Sequence, residues 1–382
     1  MNKSKIIFTF LKTGGGHFSP AKAVSDYISE VYPEKYNIIL CDFFKDIGKQ
    51  KKDTQLMQTF HFMQKFPIVT KVGHSLIKNL TTILQFWLHV NFKNTVQAAV
   101  TYIEKEKPMI VISTHSFTAY VLGKAKKLSH HPFTLITMSS DPVSSHVFIE
   151  RLQNQDLFIT SSDYSRVQLE KAGISPNNIR QFSYPVNRNF NSNLKASKNL
   201  IKKLSLNTEN KTLLVSFGGQ GVGNVEKFIK KVIKLQTPLN IIIVCGNNSN
   251  LKDRLKIKFP DNKENLIKVL PLGFVTNMHE LIAASDFCFI KPGPSTSFEI
   301  MLMKKPIIFY VSTAHIEDDN VDFAIENGVG IYAGKSVNKF IDSLHFILSQ
   351  KGVTKFSEAY SALSLQNGAE TVGEFLVKQL DH

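Results

Sequence analysis

A glycine-containing turn between a buried strand and a helix is the stretch of this sequence best suited to chemistry. The apolar run at 287–290 is typical of a strand covered on both faces, and Gly293 follows it in a polar turn. A hydroxyl of the run 295–297 can cap a helix that begins near Phe298. The N–H groups and dipole of a helix N-terminus favour an anion. Glu299 could then accept hydrogen bonds from the hydroxyls of a ribose whose phosphates occupy the turn. The alternative is an ordinary capped turn.

A second glycine run follows the apolar strand predicted at 5–11. Gly14, Gly15 and Gly16 precede His17, and an amphipathic helix comes next. The spacing is neither that of a dinucleotide-binding turn nor that of a P-loop. Glycines at the carboxyl edge of a parallel sheet let a substrate approach the backbone closely. At a helix N-terminus the dipole lowers the pKa of His17 and keeps the ring neutral, as a general base must be. A capping or surface histidine is the alternative.

The ordered series over 270–320 resembles the donor half of the monogalactosyldiacylglycerol synthase family. That family includes the bacterial processive diacylglycerol glucosyltransferases and is related to the N-acetylglucosaminyltransferase of peptidoglycan lipid intermediates. The matching residues are Gly273, Phe274, Met278, Asp286, Lys291, Gly293, Thr296, Glu299, Pro306, Glu317 and Asn320. The T-G-G-G-H run at 13–17 resembles the motif that opens the same family. The resemblance implies the glycosyltransferase B fold, in which two Rossmann-like α/β domains face each other across a cleft.

The resemblance also implies roles for individual residues. It makes His17 the catalytic base, with Asp141 as a second catalytic residue that orients the acceptor hydroxyl. Donor binding is implied for Gly218, Gly219, Gln220, Phe274, Val275, Gly293, Ser295, Thr296, Ser297, Glu299, Glu317 and Asn320. Acceptor binding is implied for Gly15, Gly16, His115 and His146.

The sequence departs from the family pattern at several positions. Tyr184 stands in place of a glycine, and Ile316 replaces a glutamine that contacts sugar hydroxyls in the family. Asp141 and His146 stand where the family carries T-D-x-x-x-H, so the Asp and a downstream His are kept in an altered context. The identities of the sugar and of the acceptor therefore stay open.

Residues 55–95 differ in composition from the rest of the chain. Phe86 and Trp87, the only tryptophan, lie among apolar residues and cations such as Lys71 and Lys78. A basic, aromatic-rich pair of amphipathic helices suits the interface of an anionic bilayer. The family resemblance implies membrane attachment by the same segment. The alternatives are two ordinary helices packed on a sheet, or a surface that binds RNA.

Composition limits the class of protein and its compartment. The 382 residues include 46 Lys and Arg against 31 Asp and Glu, a net charge of +15 that favours an anionic partner. Three cysteines indicate small buried hydrophobes in a reducing compartment. The N-terminus lacks a signal-peptide pattern, and no run reaches the roughly 18 apolar residues of a membrane span. These features predict a cytoplasmic protein, peripheral on the inner face of the cell membrane.

Strands alternate with helices in both halves of the chain, which predicts α/β architecture with parallel sheets. We predict an N-terminal acceptor- and membrane-binding domain at 1–190, a polar linker at 191–211 and a UDP-sugar-binding domain at 212–350. The helices of 351–382 complete the chain, and the last is expected to pack back on the first domain.

The predicted function is transfer of a hexose from a UDP-sugar to a lipid hydroxyl, of diacylglycerol or a glycolipid. The partners are then the UDP-sugar, the lipid and an anionic membrane surface, without nucleic acid. No Asp-x-Asp pair suggests a metal, and no cofactor is expected beyond the UDP-sugar co-substrate. The alternatives are an N-acetylglucosamine transferase acting on a polyprenyl-linked or other saccharide, a UDP-N-acetylglucosamine 2-epimerase and a non-catalytic UDP-sugar sensor.

Overall fold

The structure, a computed structural model, describes most of the chain. The described residues are 3–11, 15–52, 54–56, 58, 81–143, 152, 154–191, 198–218, 225–260, 266–312 and 317–380, with the side chains of 81–89 excepted. Two compact units form, one from residues 1–187 together with 367–382 and the other from 188–366.

The first unit is built on a six-stranded parallel sheet of order β2-β1-β3-β4-β5-β6. Its strands are β1 Ser4–Phe10, β2 Tyr36–Asp42, β3 Ile110–Ser113, β4 Thr134–Met138, β5 Leu157–Thr160 and β6 Ile179–Gln181. Phe8 of β1 lies opposite Leu40 of β2 and Ile112 of β3, which fixes the register of the central strands. The buried strands are continuous apolar runs because helices cover both faces of the sheet.

Side chains that alternate along β1 enter two different cores. Ile7 packs with Val111 and Phe92 on one face, whereas Ile6 and Phe8 pack on the other. The helices of this unit are α1 Gly15–Val31, α2 Phe43–Asp46, α3 Thr81–Glu106, α4 Ser116–Leu128 and α5 Asp163–Lys171. This period-two division is the behaviour expected of a strand that is buried on both faces.

The second unit repeats the architecture with the order β12-β11-β10-β7-β8-β9, again all parallel. Its strands are β7 Lys211–Ser216, β8 Leu239–Val244, β9 Ile267–Leu272, β10 Phe287–Ile290, β11 Ile307–Phe309 and β12 Gly330–Tyr332. Its helices are α6 Lys198–Lys203, α7 Val225–Ile233, α8 Ser249–Lys258, α9 Met278–Ala284, α10 Pro294–Leu302, α11 Asp318–Glu326, α12 Val337–Leu348 and α13 Gln350–Ala362. The α/β prediction with parallel sheets in both halves is confirmed.

The last helix, α14 at Ala369–Lys378, packs on α1 within the first unit. The hydroxyls of Tyr27 and Tyr32 donate to Oε1 of Glu374, at 2.7 and 2.8 Å. Gly373 permits the close approach, because a Cβ there would lie 2.4 Å from Cδ1 of Tyr27. The C-terminal helix is thus held against α1 by the close contact at Gly373 and by the Glu374 carboxylate, which accepts hydrogen bonds from both tyrosines.

The segment 191–211 contains a helix that the sequence analysis did not predict. Helix α6 lies inside residues 191–211, which the sequence analysis assigned to a polar linker, and the units divide at 187/188. The lysines of this short helix made the segment resemble a polar linker in the sequence, although Ile201 is buried. Among the helices that the structure describes, none is long and apolar enough to cross a membrane.

Candidate active site

Both sheets reverse their strand order between two central strands, and the residues of interest follow those strands. In the first unit the reversal lies between β1 and β3, and in the second between β7 and β10. Open parallel sheets bind ligands outside the carboxyl ends of their strands at such points. The turns after β1, β3, β7 and β10 are therefore the four places where a substrate site is expected.

His17 lies in the first turn of α1, where its ring is fixed by the turn after β3. Its Nδ1 lies 2.9 Å from the carbonyl oxygen of Thr114. A carbonyl only accepts hydrogen bonds, so Nδ1 carries a proton, and in the neutral ring Nε2 carries the lone pair. This tautomer gives the partly buried His17 a nitrogen that can accept a proton from a substrate.

Thr114 holds the backbone of the same turn in place. Its hydroxyl lies 2.8 Å from the carbonyl oxygen of His17 and 3.2 Å from that of Thr9, so its single proton is shared between these two acceptors, with the shorter contact to His17. Its own N–H also donates to Thr9, at 3.1 Å. Thr114 is buried, and its contacts join the turn after β3 to Thr9 of β1, 105 residues away, and to His17 of α1, 97 residues away.

His115 lies beside His17 but is a buried residue. The two rings meet edge to face with their centroids 4.4 Å apart. Nδ1 of His115 accepts the N–H of Phe117 at 3.1 Å and so caps α4. Its Nε2 therefore carries the proton. His115 therefore packs against the ring of His17 and caps α4. Its contact with the acceptor stays a prediction.

Asp141 follows β4 at the same carboxyl edge of the sheet and is buried. Ser139 fixes this turn: its hydroxyl donates to the carbonyl oxygen of Asp141 at 2.9 Å. Tyr184 donates its hydroxyl to the carbonyl oxygen of Ser140 at 3.2 Å. The sequence analysis treated Tyr184 only as a departure from a glycine. In the structure it is a buried side chain that holds the turn before Asp141.

In the second unit, α10 begins earlier than the sequence analysis predicted. The prediction placed the first helical residue near Phe298 with a hydroxyl cap, and this was wrong. The helix begins at Pro294, and Gly293 is its N-cap, without a side-chain cap hydrogen bond. Proline is favoured at the first helical position because its ring presets φ and its missing N–H needs no partner. The run 295–297 therefore forms the first turn of the helix.

This shift changes what the hydroxyl residues can do. Ser297 is fully buried, and its N–H donates to the carbonyl oxygen of Gly293 at 3.0 Å. Both its side chain and its N–H lie inside the fold, and the contact of Ser297 with the donor stays a prediction. Ser295 and Thr296 keep positions at the helix N-terminus, where first-turn N–H groups have no acceptor within the helix itself.

Glu299 lies on the second turn of α10 and is partly buried. Burial raises the pKa of its carboxyl from the ordinary 4.5 to about 7. A carboxyl held in this range near a helix N-terminus is a candidate for ligand contact, because functional groups are where such shifts concentrate.

Two predicted donor-binding residues meet the end of β10. Glu317 is buried and pairs with Lys291, whose Nζ lies 2.8 Å from Oε1. Asn320 is also buried, and its Nδ2 donates to the carbonyl oxygen of Pro292 at 3.4 Å. Residues 26 to 28 positions apart are thus brought to one turn, beside the Gly293 cap.

We expect the Lys291–Glu317 pair to contribute to stability because both charges are largely removed from water. Lys291→Met leaves the Glu317 carboxylate buried without its cation, and should lower the free energy of unfolding by about 2 kcal/mol. Glu317→Gln in the same chain should recover most of this loss. Urea unfolding of the two single variants and the double variant measures the coupling directly.

The matched control is the exposed pair of Lys198 and Glu209, whose side chains are 75% and 78% exposed. Lys198→Met should change the free energy of unfolding by less than about 0.5 kcal/mol. If Lys291→Met is equally mild, the buried pair does not stabilise the turn.

The turn after β7 lies over an aromatic cluster that the sequence analysis missed. Phe217 stacks on Tyr310 with centroids 4.7 Å apart and contacts Phe289 edge to face. Gly218 follows with a φ of +82°, a conformation that favours glycine, and a Cβ there would meet nothing within 4 Å. The high phenylalanine content, 29 residues, was the signal available in the sequence.

The remaining predicted residues have simple placements. Gly15 is exposed and Gly16 partly buried at the start of α1. Phe274 follows β9 and is 68% exposed, which is unusual for a large apolar side chain, and Val275 next to it is partly buried. Predicted residues outside the described part are Lys71, Lys78, His146, Gly219 and Gln220, together with the side chains of Phe86 and Trp87. Within the described residues, no group of three or more His, Cys, Asp or Glu side chains could hold a metal ion.

Two doubly wound parallel sheets with glycine turns at their reversal points define the glycosyltransferase B fold. MurG of Acinetobacter baumannii has a similar structure, with a TM-score of 0.61 and 13% identity over 98% of this chain and 99% of that one. Residues 17–186 match the monogalactosyldiacylglycerol (MGDG) synthase profile, and residues 212–345 match the glycosyltransferase family 28 C-terminal domain. Together these two matches cover most of the chain, and they confirm the resemblance to the monogalactosyldiacylglycerol synthase family seen in the sequence.

Two curated relatives illustrate the range of the family. The processive diacylglycerol beta-glucosyltransferase of Bacillus pumilus is 22% identical over 99% of this chain and 95% of its own length. Monogalactosyldiacylglycerol synthase 1 of Arabidopsis thaliana is 23% identical over 88% of this chain. The chain spans less than two thirds, 64%, of the length of that plant protein.

Proposed function

We propose that the protein transfers a hexose from a UDP-sugar to the hydroxyl of a lipid, diacylglycerol or a glycolipid. The observation that carries the proposal is the tautomer of His17, which presents an unprotonated Nε2 at the carboxyl edge of the first sheet. Sugar transfer to an alcohol needs such a base, since a neutral hydroxyl is a weak nucleophile. The family resemblance and the names of the two curated relatives support the lipid acceptor.

The reaction is a single transfer in which His17 accepts one proton. Nε2 of His17 takes the proton of the lipid hydroxyl while that oxygen forms a bond to the anomeric carbon of the sugar. The bond between this carbon and the diphosphate oxygen breaks, and UDP leaves with the electron pair. The N-terminus of α10 behind Gly293 favours the negative charge that develops on the diphosphate.

The placements of several described residues support the proposed donor contacts. Glu299 accepts the ribose hydroxyls, and Ser295 and Thr296 offer first-turn N–H groups to the phosphates. Glu317 and Asn320 contact the hexose from the turn that they share with Lys291. On the acceptor side, Asp141, Gly15 and Gly16 complete the pocket around His17.

The site of action is proposed to be the inner face of the cell membrane, where the protein binds peripherally. The net charge of +15 and the basic, aromatic composition of 55–95 support an anionic surface. The domain division of the sequence analysis remains part of this proposal, with acceptor and membrane on the first unit and donor on the second.

Mass spectrometry of lipids tests the proposal directly. The purified protein is incubated with diacylglycerol liposomes and a panel of UDP-sugars. A new hexosyl lipid is expected, which disappears with His17→Ala and Glu299→Ala but persists with the exposed-histidine control His130→Ala. Binding of UDP-sugar without any product on diacylglycerol, glycolipid or polyprenyl acceptors would overturn the transferase proposal and favour a sensor.

A further inference from the structure

The second unit contains a cavity of about 480 Å³ at the amino ends of its strands. Lys211 and Phe287, the first residues of β7 and β10, line it, and α13 closes it on the other side. Its volume lies in the range of small-molecule sites, roughly 300 to 1,000 Å³. The donor turn of Gly293 follows the opposite end of β10. Four residues of strand, roughly 13 Å, therefore separate the two places.

The walls of this cavity divide into an apolar part and a charged rim. The apolar lining residues that keep exposed surface are mainly Pro306, Leu348 and Val353, and Val353 is 51% exposed. The rim carries Lys304, which is exposed, and Lys211. An amphiphilic anion matches this lining, because its hydrocarbon part can contact the apolar residues while its negative charge lies near the lysine ammonium groups.

The charge of the rim limits the head group of such a ligand. Lys211 lies 2.8 Å from Asp286, so one of its two lysine charges is already balanced. The remaining charge belongs to Lys304. One negative charge on a ligand leaves the site neutral, whereas a dianion leaves an excess charge next to Asp286. The rim therefore favours a monoanion.

We propose that this cavity binds a single-chain amphiphile with a monoanionic head, the chemistry of a fatty acid carboxylate. The carboxylate pairs with Lys304, and the alkyl chain lies on Pro306, Leu348 and Val353. Because the cavity and the Gly293 turn lie at opposite ends of β10, both ligands bind at the same time. This inference goes beyond the proposed transfer and does not depend on it.

The test measures binding of decanoate to the full-length protein, below the concentration at which decanoate forms micelles and without UDP-sugar or lipid acceptor. Saturation-transfer NMR and titration calorimetry report the affinity. Decanoate is expected to bind at least about fivefold more tightly than decanol, which lacks the charge, and than acetate, which lacks the chain. Equal affinity for decanol or for acetate would overturn the proposal.

Two variants locate the site. Lys304→Glu should weaken decanoate binding about fivefold or more, and Val353→Trp should block the mouth, since both positions are exposed and tolerate substitution. The matched control is Lys351→Glu, an exposed lysine at the start of α13 that does not line the cavity. Thermal unfolding by circular dichroism confirms that all three variants fold. Decanoate binding that is unchanged in Lys304→Glu and Val353→Trp would place the ligand elsewhere and refute the proposal.

A competition experiment completes the test. UDP-glucose should bind with the same affinity in the presence of saturating decanoate, because the two ligands occupy opposite ends of β10. Displacement of decanoate by UDP-glucose would show that decanoate occupies the donor turn and would overturn the assignment. None of these measurements requires sugar transfer, so a failure of the proposed function leaves them interpretable.

Discussion

Replacing His17 by alanine is expected to lower kcat for sugar transfer by about 10² to 10⁴, the usual contribution of a general base. The affinity for UDP-glucose should stay within about twofold of the parent value, since His17 belongs to the first unit and the donor turns to the second. Steady-state kinetics on diacylglycerol liposomes and calorimetric titration with UDP-glucose give the two numbers separately. A loss confined to kcat identifies a group that acts in the transition state.

The position of His17 suggests two companion variants. Thr114→Val removes the hydroxyl that donates to the carbonyl oxygen of His17. It keeps the backbone carbonyl of residue 114, which accepts the hydrogen bond from Nδ1 of His17. It should lower kcat by a smaller factor, about tenfold. His130→Ala changes an exposed histidine elsewhere in the first unit and should leave kcat unchanged. If His17→Ala lowers kcat and UDP-glucose affinity by the same factor, the assignment of His17 as the base is wrong.

Glu299 should make the stability of the protein fall as pH rises. Burial holds the pKa of Glu299 at about 7 in the folded chain, against 4.5 for an ordinary glutamate. Between pH 4.5 and 7 the folded chain binds more protons at this site than the unfolded chain, so its stability decreases as pH increases. Above pH 7 the loss is complete, and it amounts to about 3 kcal/mol at most.

Glu299→Gln removes this titration. The variant and the parent should have similar free energies of unfolding near pH 5, and the variant should be more stable at pH 8 by up to about 3 kcal/mol. Urea unfolding at pH 5, 6, 7 and 8 measures the difference. Glu280→Gln, at an exposed glutamate of α9, is the matched control and should follow the parent. A difference between Glu299→Gln and parent that does not grow with pH would contradict a raised pKa.

The same titration should control donor binding in the opposite direction. In the proposed site the ionised Glu299 carboxylate accepts both ribose hydroxyls, whereas its protonated form accepts less well. With a pKa of about 7, the ionised fraction rises about tenfold between pH 6 and 8. The affinity for UDP-glucose, whose diphosphate ester keeps its charge over this range, should rise by a similar factor. Glu299→Gln should show weaker binding that does not vary with pH, and a pH dependence that persists in this variant would exclude Glu299 as its source.

Local patterns in the sequence were sufficient for the architecture. Apolar runs such as 287–290, followed by glycine turns and amphipathic helices, predicted parallel sheets, and the structure confirms them. The glycines mark the carboxyl ends of strands because only there does the chain turn sharply beside a ligand. Gly293 and His17 were therefore found from their immediate neighbours.

Errors arose where neighbouring signals compete. At 293–298 a hydroxyl cap and a proline at the first helical position both fit, and the prediction chose the cap. Packing decides between them, because starting the helix at Pro294 buries Ser297 and Phe298. The role of Tyr184 was missed because it depends on a hydrogen bond to the carbonyl oxygen of Ser140, 44 residues away in the sequence.

The sequence by itself determined the fold class, the family resemblance and the positions of the glycine turns proposed to bind ligands, because strand periodicity and turn chemistry depend on adjacent residues. Only the tertiary structure decided the protonation pattern of His17, the raised pKa of Glu299 and the pairing of Lys291 with Glu317. Each of these depends on partners or burial supplied by elements far apart in the chain. Parallel strands bring such elements together only through long crossover connections, and their register is fixed when the whole sheet assembles.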